Sequence, residues 1–177
     1  MKRLKKHVIY IIIVLSSLSF FASSYGKGDI FELKWIRLEP GDNRTKVITR
    51  KSREVLYAEN EPILTTDDVA SASARIEDWS EGHKKIAEIM PYELKPYAVL
   101  ELVFTKNGWD KFAEIVPGNM GKTVGVIIDE QLIMTRWIGA PIIVYGTMTI
   151  KGLLTDQEAN SVAERINSLK KSSKGVK

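Results

Sequence analysis

The stretch between Ala98 and Ile166 constrains the fold most, because its hydrophobic spacing switches repeatedly between the period of a strand and that of a helix. Short apolar runs bounded by turn residues indicate strands, whereas apolar residues three and four positions apart indicate helices. In chain order the pattern predicts one strand, a helix, three strands and a second helix. The first helix ends at Pro117-Gly118, and the next two strands form a hairpin. The sequence therefore predicts an α+β fold, with a small mixed or antiparallel sheet and two main helices.

The second helix has a strong start signal in Thr155-Asp156-Gln157-Glu158, which is a capping-box sequence. In this motif the Thr hydroxyl accepts a hydrogen bond from the N–H of the Glu, and the Glu carboxylate accepts one from the N–H of the Thr. The apolar residues that follow fall on one face at helical spacing. They are Ala159, Val162, Ala163, Ile166 and Leu169.

The upstream part of the chain predicts further strands. Residues 31–38 form one of them, and residues 47–49 and 55–57 form an antiparallel pair. Thr65-Thr66-Asp67-Asp68 has two interpretations: a pair of carboxylates that binds a cation, or an N-cap with acidic residues in the first turn of a helix. We favour the N-cap.

The order of several short motifs between residues 63 and 169 resembles the SecD/SecDF family, in the head subdomain of its first periplasmic region. The matching positions are Phe104-Thr105, Gly108, Phe112, Asn119, Gly121-Lys122, Asp129, Ile143, Gly146, Ile150, Gly152, Thr155 and Glu158-Ala159. Leu64 to Val69 resembles a further family segment, with Thr66 replacing the usual glycine. The resemblance implies the head fold and a non-enzymatic role connected with protein export. No multi-span pattern is present, so we expect a stand-alone head.

Two departures from the family pattern concern the predicted hairpin. Glu130 stands where the family usually has glycine, and Met134-Thr135-Arg136 replaces its serine-alanine-proline turn. The hairpin tip and the bend after the second strand are therefore reshaped in this chain.

Residues 1–24 have the layout of a secretory signal peptide: a basic start, an apolar stretch and small residues at Ala22-Ser23-Ser24. We expect cleavage and export to the periplasm or cell envelope; the alternative is an uncleaved membrane anchor. This segment holds four of the 26 basic residues and no acidic ones, which leaves 22 of each sign in the rest. Without a basic excess, nucleic-acid binding loses its main support.

The predicted organisation has four parts: the signal peptide (1–24), an N-terminal strand region (25–62), the SecD-head-like domain (63–169) and a disordered basic tail (170–177). The domain contains an insertion relative to the family, at residues 75–96. Membrane contact is expected only through an uncleaved N-terminus or the lysine tail, because both carry clustered basic residues.

The residue types argue against an enzyme. The chain has no cysteine, and His83 is the only histidine beyond the signal segment, so we predict no metal site and no Ser-His-Asp arrangement in the head. Gly118 to Thr123 ends like a phosphate-binding loop, but Val116 occupies the position of its first glycine and the order of elements is reversed. We predict no catalytic residue and no cofactor.

A binding surface remains, on the predicted strand from Gln131 to Ile138. Met134, Arg136 and Trp137 are its candidate partner-binding residues, since Trp and Arg are enriched at interface hot spots. An exposed sheet edge could accept an extended polypeptide by strand addition; the alternative is that Trp137 belongs to the core. The predicted function is binding of polypeptide or of an export or envelope partner such as the translocon. The alternative is a re-used head that binds an unrelated envelope partner or a small ligand through the 75–96 insertion.

Overall fold

The structure is a computed structural model that describes residues 29–78, 95–139, 143 and 145–174. The predicted signal peptide, His83 and most of the predicted insertion lie outside these residues. Residues 75–77 of the insertion belong to a strand.

Nine strands and two α-helices form the described part of the chain. They are β1 (Phe31–Arg37), β2 (Arg44–Ile48), β3 (Val55–Glu59), β4 (Leu64–Thr65), β5 (Val69–Glu77), β6 (Tyr97–Phe104), α1 (Lys106–Ile115), β7 (Thr123–Ile128), β8 (Gln131–Trp137), β9 (Thr147–Lys151) and α2 (Asp156–Lys174). Single 3-10 turns lie at Thr66–Asp68 and Pro117–Asn119. The predicted α+β fold is confirmed, including the order strand, helix, three strands and helix from β6 to α2.

The strands form two antiparallel sheets rather than one. The first has the order β2-β3-β1-β7-β8, with β4 paired to β1, and the second has the order β5-β6-β9. The upstream strands account for the division: β1 pairs with β7 and β5 pairs with β6. The N-terminal strand region therefore supplies β1 to β3 of the first sheet, next to β7 and β8.

The first sheet curls until its two ends meet. Thr49, just after β2, forms a parallel bridge with Leu132 in β8, and the N–H of Arg50 donates to the carbonyl of Leu132 at 3.1 Å. A small core fills the curl. It consists of Ile36, Val47, Leu56, Ala58, Ile127 and Leu132.

The main core lies where the two sheets and α2 meet. Fully buried side chains from each part include Phe31, Leu33, Leu100, Leu102, Met148 and Ile166. Four residues of the predicted apolar face of α2 are buried, whereas the fifth, Leu169, is 51% exposed. Leu169 lies in the fourth turn of a 19-residue helix, where the helix has passed the apolar residues that cover its earlier turns.

The outer edge of β5 is covered by α2. The side-chain amide of Asn167 donates to the carbonyl of Ala72 at 2.8 Å, and the N–H of Ala72 donates to the Asn167 Oδ1 at 2.9 Å. Asn167 thus satisfies both backbone groups of Ala72, as a neighbouring strand would.

The predicted disorder of the tail from residue 170 is wrong for residues 170–174, because α2 continues to Lys174. Lys170 is held by Asp67, whose carbonyl accepts a hydrogen bond from its Nζ at 3.2 Å. The last three residues lie outside the described part.

Candidate functional site

The polar residues that carry the family resemblance are used by the fold itself. The first case is Asp68, which is buried and completes a capping box with Thr65 at the 3-10 turn. Its second carboxylate oxygen accepts a hydrogen bond from the Nζ of Lys111 in α1 at 2.9 Å. Because both oxygens have partners inside the chain, the N-cap interpretation of this segment stands and Asp68 joins α1 to the turn.

Gly108 lets α1 pack directly against the backbone of Asp68, because it has no side chain. A Cβ on this residue would lie 2.7 Å from the backbone oxygen of Asp68, which is closer than real Cβ contacts. The N–H of Gly108 also donates to the hydroxyl of Thr105, the N-cap of α1. The glycine is therefore required for the packing of α1 and marks no ligand site.

The Asn119-to-Lys122 motif builds the turn between α1 and β7. Asn119 donates to the carbonyl of Ile115 at 2.8 Å and accepts from the Nζ of Lys122 at 2.5 Å, while Gly121 has a φ of +85°. Lys122 also lies over the ring of Trp35, 5.4 Å from its centroid. This arrangement is a structural turn, in agreement with the rejection of a phosphate-binding loop.

Asp129 and Glu130 form the tip of the β7–β8 hairpin, with φ values of 49° and 63°. A two-residue loop with both φ angles positive matches the twist of the flanking strands. Asp129 is bound by Arg165 of α2 through two parallel hydrogen bonds of 2.8 and 2.6 Å. The pair fixes α2 to the hairpin tip.

Glu158 has the densest set of partners among these acids. Its Oε2 accepts the N–H of Thr155 at 2.8 Å, so the predicted capping box is formed. Both oxygens also accept from the guanidinium of Arg50, at 2.8 and 2.9 Å. The hydrogen bond from Arg50, and then the one from the backbone of Thr155, lower the pKa of the Glu158 carboxyl below its usual value of 4.5.

Both helix-tethering acids line one open groove of about 830 Å³. The acids at this groove are arranged for attachment rather than for chemistry, because Arg50 and Arg165 neutralise Glu158 and Asp129. Within the described ranges no cluster of three or more metal-ligating side chains occurs.

The candidate partner-binding residues of β8 differ from one another in their exposure to solvent. Met134 is half-buried against the main core, whereas Arg136 is exposed and Trp137 is 60% exposed. The alternative in which Trp137 is a core residue is wrong, because β8 is the last strand of its sheet and the small core ends before Trp137. No described residue forms an ion pair with Arg136.

Trp137 is nevertheless held in place. A Cβ at Gly139 would lie 2.0 Å from the indole ring and one at Gly121 would lie 3.8 Å from the indole nitrogen. The ring therefore rests against glycine backbone on one side and leaves the rest of its surface to solvent. An aromatic side chain that is already fixed loses little entropy on binding.

The family model of the SecDF P1 head subdomain matches residues 44–169, which is more than half of the chain. The chain belongs to the SecDF P1 head subdomain family. The match begins upstream of residue 63 and includes β2 and β3, in keeping with their place in the first sheet.

A solved structure of SecDF has a similar fold. The crystal structure of SecDF in its super-membrane-facing form shares 20% identity over 79% of this chain, with a TM-score of 0.51, and the match covers 19% of that chain. A second SecDF structure, described as a membrane component that enhances protein export, also shares 20% identity over 79% of this chain, with a TM-score of 0.49 and 62% of that chain covered. No curated protein gives a significant match.

The family head in this chain thus spans only a part of each SecDF chain it resembles. Among the described helices, none is long and apolar enough to cross a membrane.

Sequence reasoning missed Arg50 and Arg165, the two partners of the family acids, because no local pattern connects residues so far apart.

Proposed function

We propose that this head domain binds polypeptide in the cell envelope as an accessory of protein export. The observation that carries the proposal is the exposed indole of Trp137, which packs against Gly139 and follows the exposed Arg136 at the end of β8. Arg136 forms no ion pair with a described residue. Trp and Arg are the residues that most often dominate binding energy at interfaces.

The acidic residues that match the family pattern are already used within the fold, and this supports the end of β8 as the binding surface. Asp68, Asp129 and Glu158 are each engaged by a basic side chain of the chain itself, so they have little capacity left for a partner. The end of β8 is also where this chain departs from the family pattern, at Met134 to Arg136. A specific partner is therefore best accommodated there.

The export role rests on family membership and on the signal-peptide pattern of residues 1–24. One SecDF relative is described as enhancing protein export, and we extend this role to the present chain as a proposal. On the same grounds we propose a location in the periplasm or cell envelope, which protease accessibility in spheroplasts would test.

Binding is tested by titrating the full chain with a permanently unfolded, cysteine-blocked polypeptide and following tryptophan fluorescence or anisotropy. Saturable binding is expected, and Trp137→Ala should weaken it about tenfold or more, because truncation of a hot-spot residue costs on the order of 2 kcal/mol.

Leu38→Ala is the matched control, since Leu38 is 77% exposed and directly follows the last residue of a strand, β1. Its affinity should equal that of the wild type. Equal losses in both variants, or a titration without any binding, would contradict the proposal.

A further inference from the structure

The side of β8 that faces away from β7 has backbone hydrogen-bonding groups that no described residue uses beyond Leu132. Ile138 donates its N–H to the carbonyl of Lys122, and in an antiparallel pair bonded and non-bonded positions alternate. The pairs Val124–Arg136 and Val126–Met134 are therefore the bonded ones. The N–H and C=O groups of Thr135 and Trp137 consequently point away from the sheet.

The fold already uses the first part of this edge. The N–H of Arg50 donates to the carbonyl of Leu132, next to the parallel bridge between Thr49 and Leu132. Beyond Leu132 no described strand pairs with this side of β8. Within the described residues the open edge runs from Ile133 to Trp137. Ile133 lies at a bulge, because Val126 is opposite Met134 whereas Ile127 is opposite Leu132, so the regular part of the edge, Met134 to Trp137, is about 13 Å long.

We propose that this open edge accepts an extended segment of polypeptide as an added strand, which rests on the proposed function and specifies its site. The chain after β2 occupies the edge at Leu132, and the bulge at Ile133 interrupts it, so the segment is limited to about four paired residues. Backbone hydrogen bonds hold an added strand and alternate side chains select it.

The side chains of β8 define which segment fits. Arg136 pairs across the sheet with Val124 on the face of the main core, while Trp137 pairs with Thr123 on the other face. In an added strand, the residue opposite Arg136 lies on the same face as this exposed cation, which has no ion-pair partner among the described residues. An acidic residue at that position gains a cross-strand ion pair. The residues on either side of it share the face of Trp137 and are best apolar. The preferred occupant alternates apolar and acidic residues.

The second sheet also has an open edge, on β9, and provides an internal control. Gly152 donates to Ala98, and Phe104 donates to Gly146, so alternation directs the N–H of Thr149 outward as well. However, Thr149 is half-buried, and its neighbours Met148 and Ile150 are buried. Strand β9 therefore has no exposed aromatic side chain, and its exposed cation, Lys151, is already paired with Glu77.

The test compares the same substitution on the two edges, with soluble peptides in which valine alternates with aspartate or with lysine. Thr135→Pro removes an outward N–H from β8, and proline is tolerated where the N–H of an edge strand faces solvent. We expect about fivefold weaker binding or more, and wild-type affinity for Thr149→Pro. Circular dichroism checks that both variants are folded.

Charge reversal gives a second measurement that does not depend on proline. The wild type should prefer the aspartate peptide over the lysine peptide by about three- to tenfold, and Arg136→Glu should reverse this preference.

Strand addition on β8 is overturned if peptides bind but Thr135→Pro has no effect, if Thr149→Pro weakens binding equally, or if Arg136→Glu leaves the preference unchanged. Each of these outcomes leaves polypeptide binding itself intact. If no peptide and no unfolded polypeptide binds, the proposed function fails together with this inference.

Discussion

Arg50 and Glu158 are 108 positions apart in the chain, yet the guanidinium of Arg50 donates to both carboxylate oxygens of Glu158 at 2.8 and 2.9 Å. Arg50 also donates its backbone N–H to β8. One residue thus closes the curl of the first sheet and fixes the start of α2, and through α2 it supports the second sheet. The pair connects the parts of the fold that local sequence patterns leave separate.

The energetic coupling of this pair is measurable by a double-mutant cycle. Arg50→Gln and Glu158→Gln each remove the ion pair, while glutamine at position 158 still serves the capping box. Both groups are partly exposed, so we expect a coupling free energy of about 0.5–1 kcal/mol in urea unfolding. Glu158→Ala should destabilise further, because it also removes the cap. A coupling energy of zero would contradict a role for the pair in tethering α2.

The pH dependence of stability should carry the signature of Glu158. The pKa of its carboxyl is lowered in the folded state, mainly by Arg50. Its contribution is therefore fully present above the unfolded-state pKa and is lost as the pH falls through the lower folded-state pKa. The stability difference between wild type and Arg50→Gln should shrink from about pH 6 to about pH 3. Comparing the two proteins cancels the other titrating groups, and a difference that stays constant or grows would contradict this reading.

The hairpin tip predicts a stabilising substitution. Glu130 has a φ of 63°, a region that costs L-residues about 1–2 kcal/mol and costs glycine nothing. Glu130→Gly should raise the free energy of unfolding by about 0.5–1 kcal/mol after the added flexibility of the unfolded chain is counted. Glu130→Ala is the control, because it removes the same side chain and keeps the strain. An equal gain in both variants would show that the side chain, not the backbone, is responsible.

Close packing at Gly108 predicts the opposite effect. A Cβ there would lie 2.7 Å from the backbone oxygen of Asp68, whereas a Cβ at Gly118 would meet nothing within 4 Å. Gly108→Ala should destabilise the protein by about 1–3 kcal/mol, and Gly118→Ala should change stability little or raise it slightly. Thermal unfolding distinguishes the two, and equal effects would contradict the contact between α1 and the 3-10 turn.

Features encoded by neighbouring residues could be predicted from the sequence. Both capping interpretations, at Thr65 to Asp68 and at Thr155 to Glu158, depend on residues three positions apart and are present in the structure. The order of elements from β6 to α2 followed from hydrophobic period alone. The two-sheet arrangement did not, because strand partners are chosen by long-range packing rather than by period.

The candidate binding surface on β8 could also be predicted only in part from the sequence. Composition singled out Met134, Arg136 and Trp137, but whether Trp137 is buried depended on where β8 lies in its sheet. The lysines and serines of the tail predicted disorder. In the structure α2 continues to Lys174, and Lys170 contacts Asp67, which is distant from it in the sequence.

The most direct measurement is backbone amide NMR of the full chain during titration with an unfolded polypeptide. We predict that the largest shift changes and the strongest protection from hydrogen exchange fall on residues 133–137, centred on Thr135 and Trp137, while β9 is unaffected. Saturable binding that perturbs other surfaces and leaves β8 unchanged would contradict the assignment of this site. The absence of any perturbation would contradict polypeptide binding altogether.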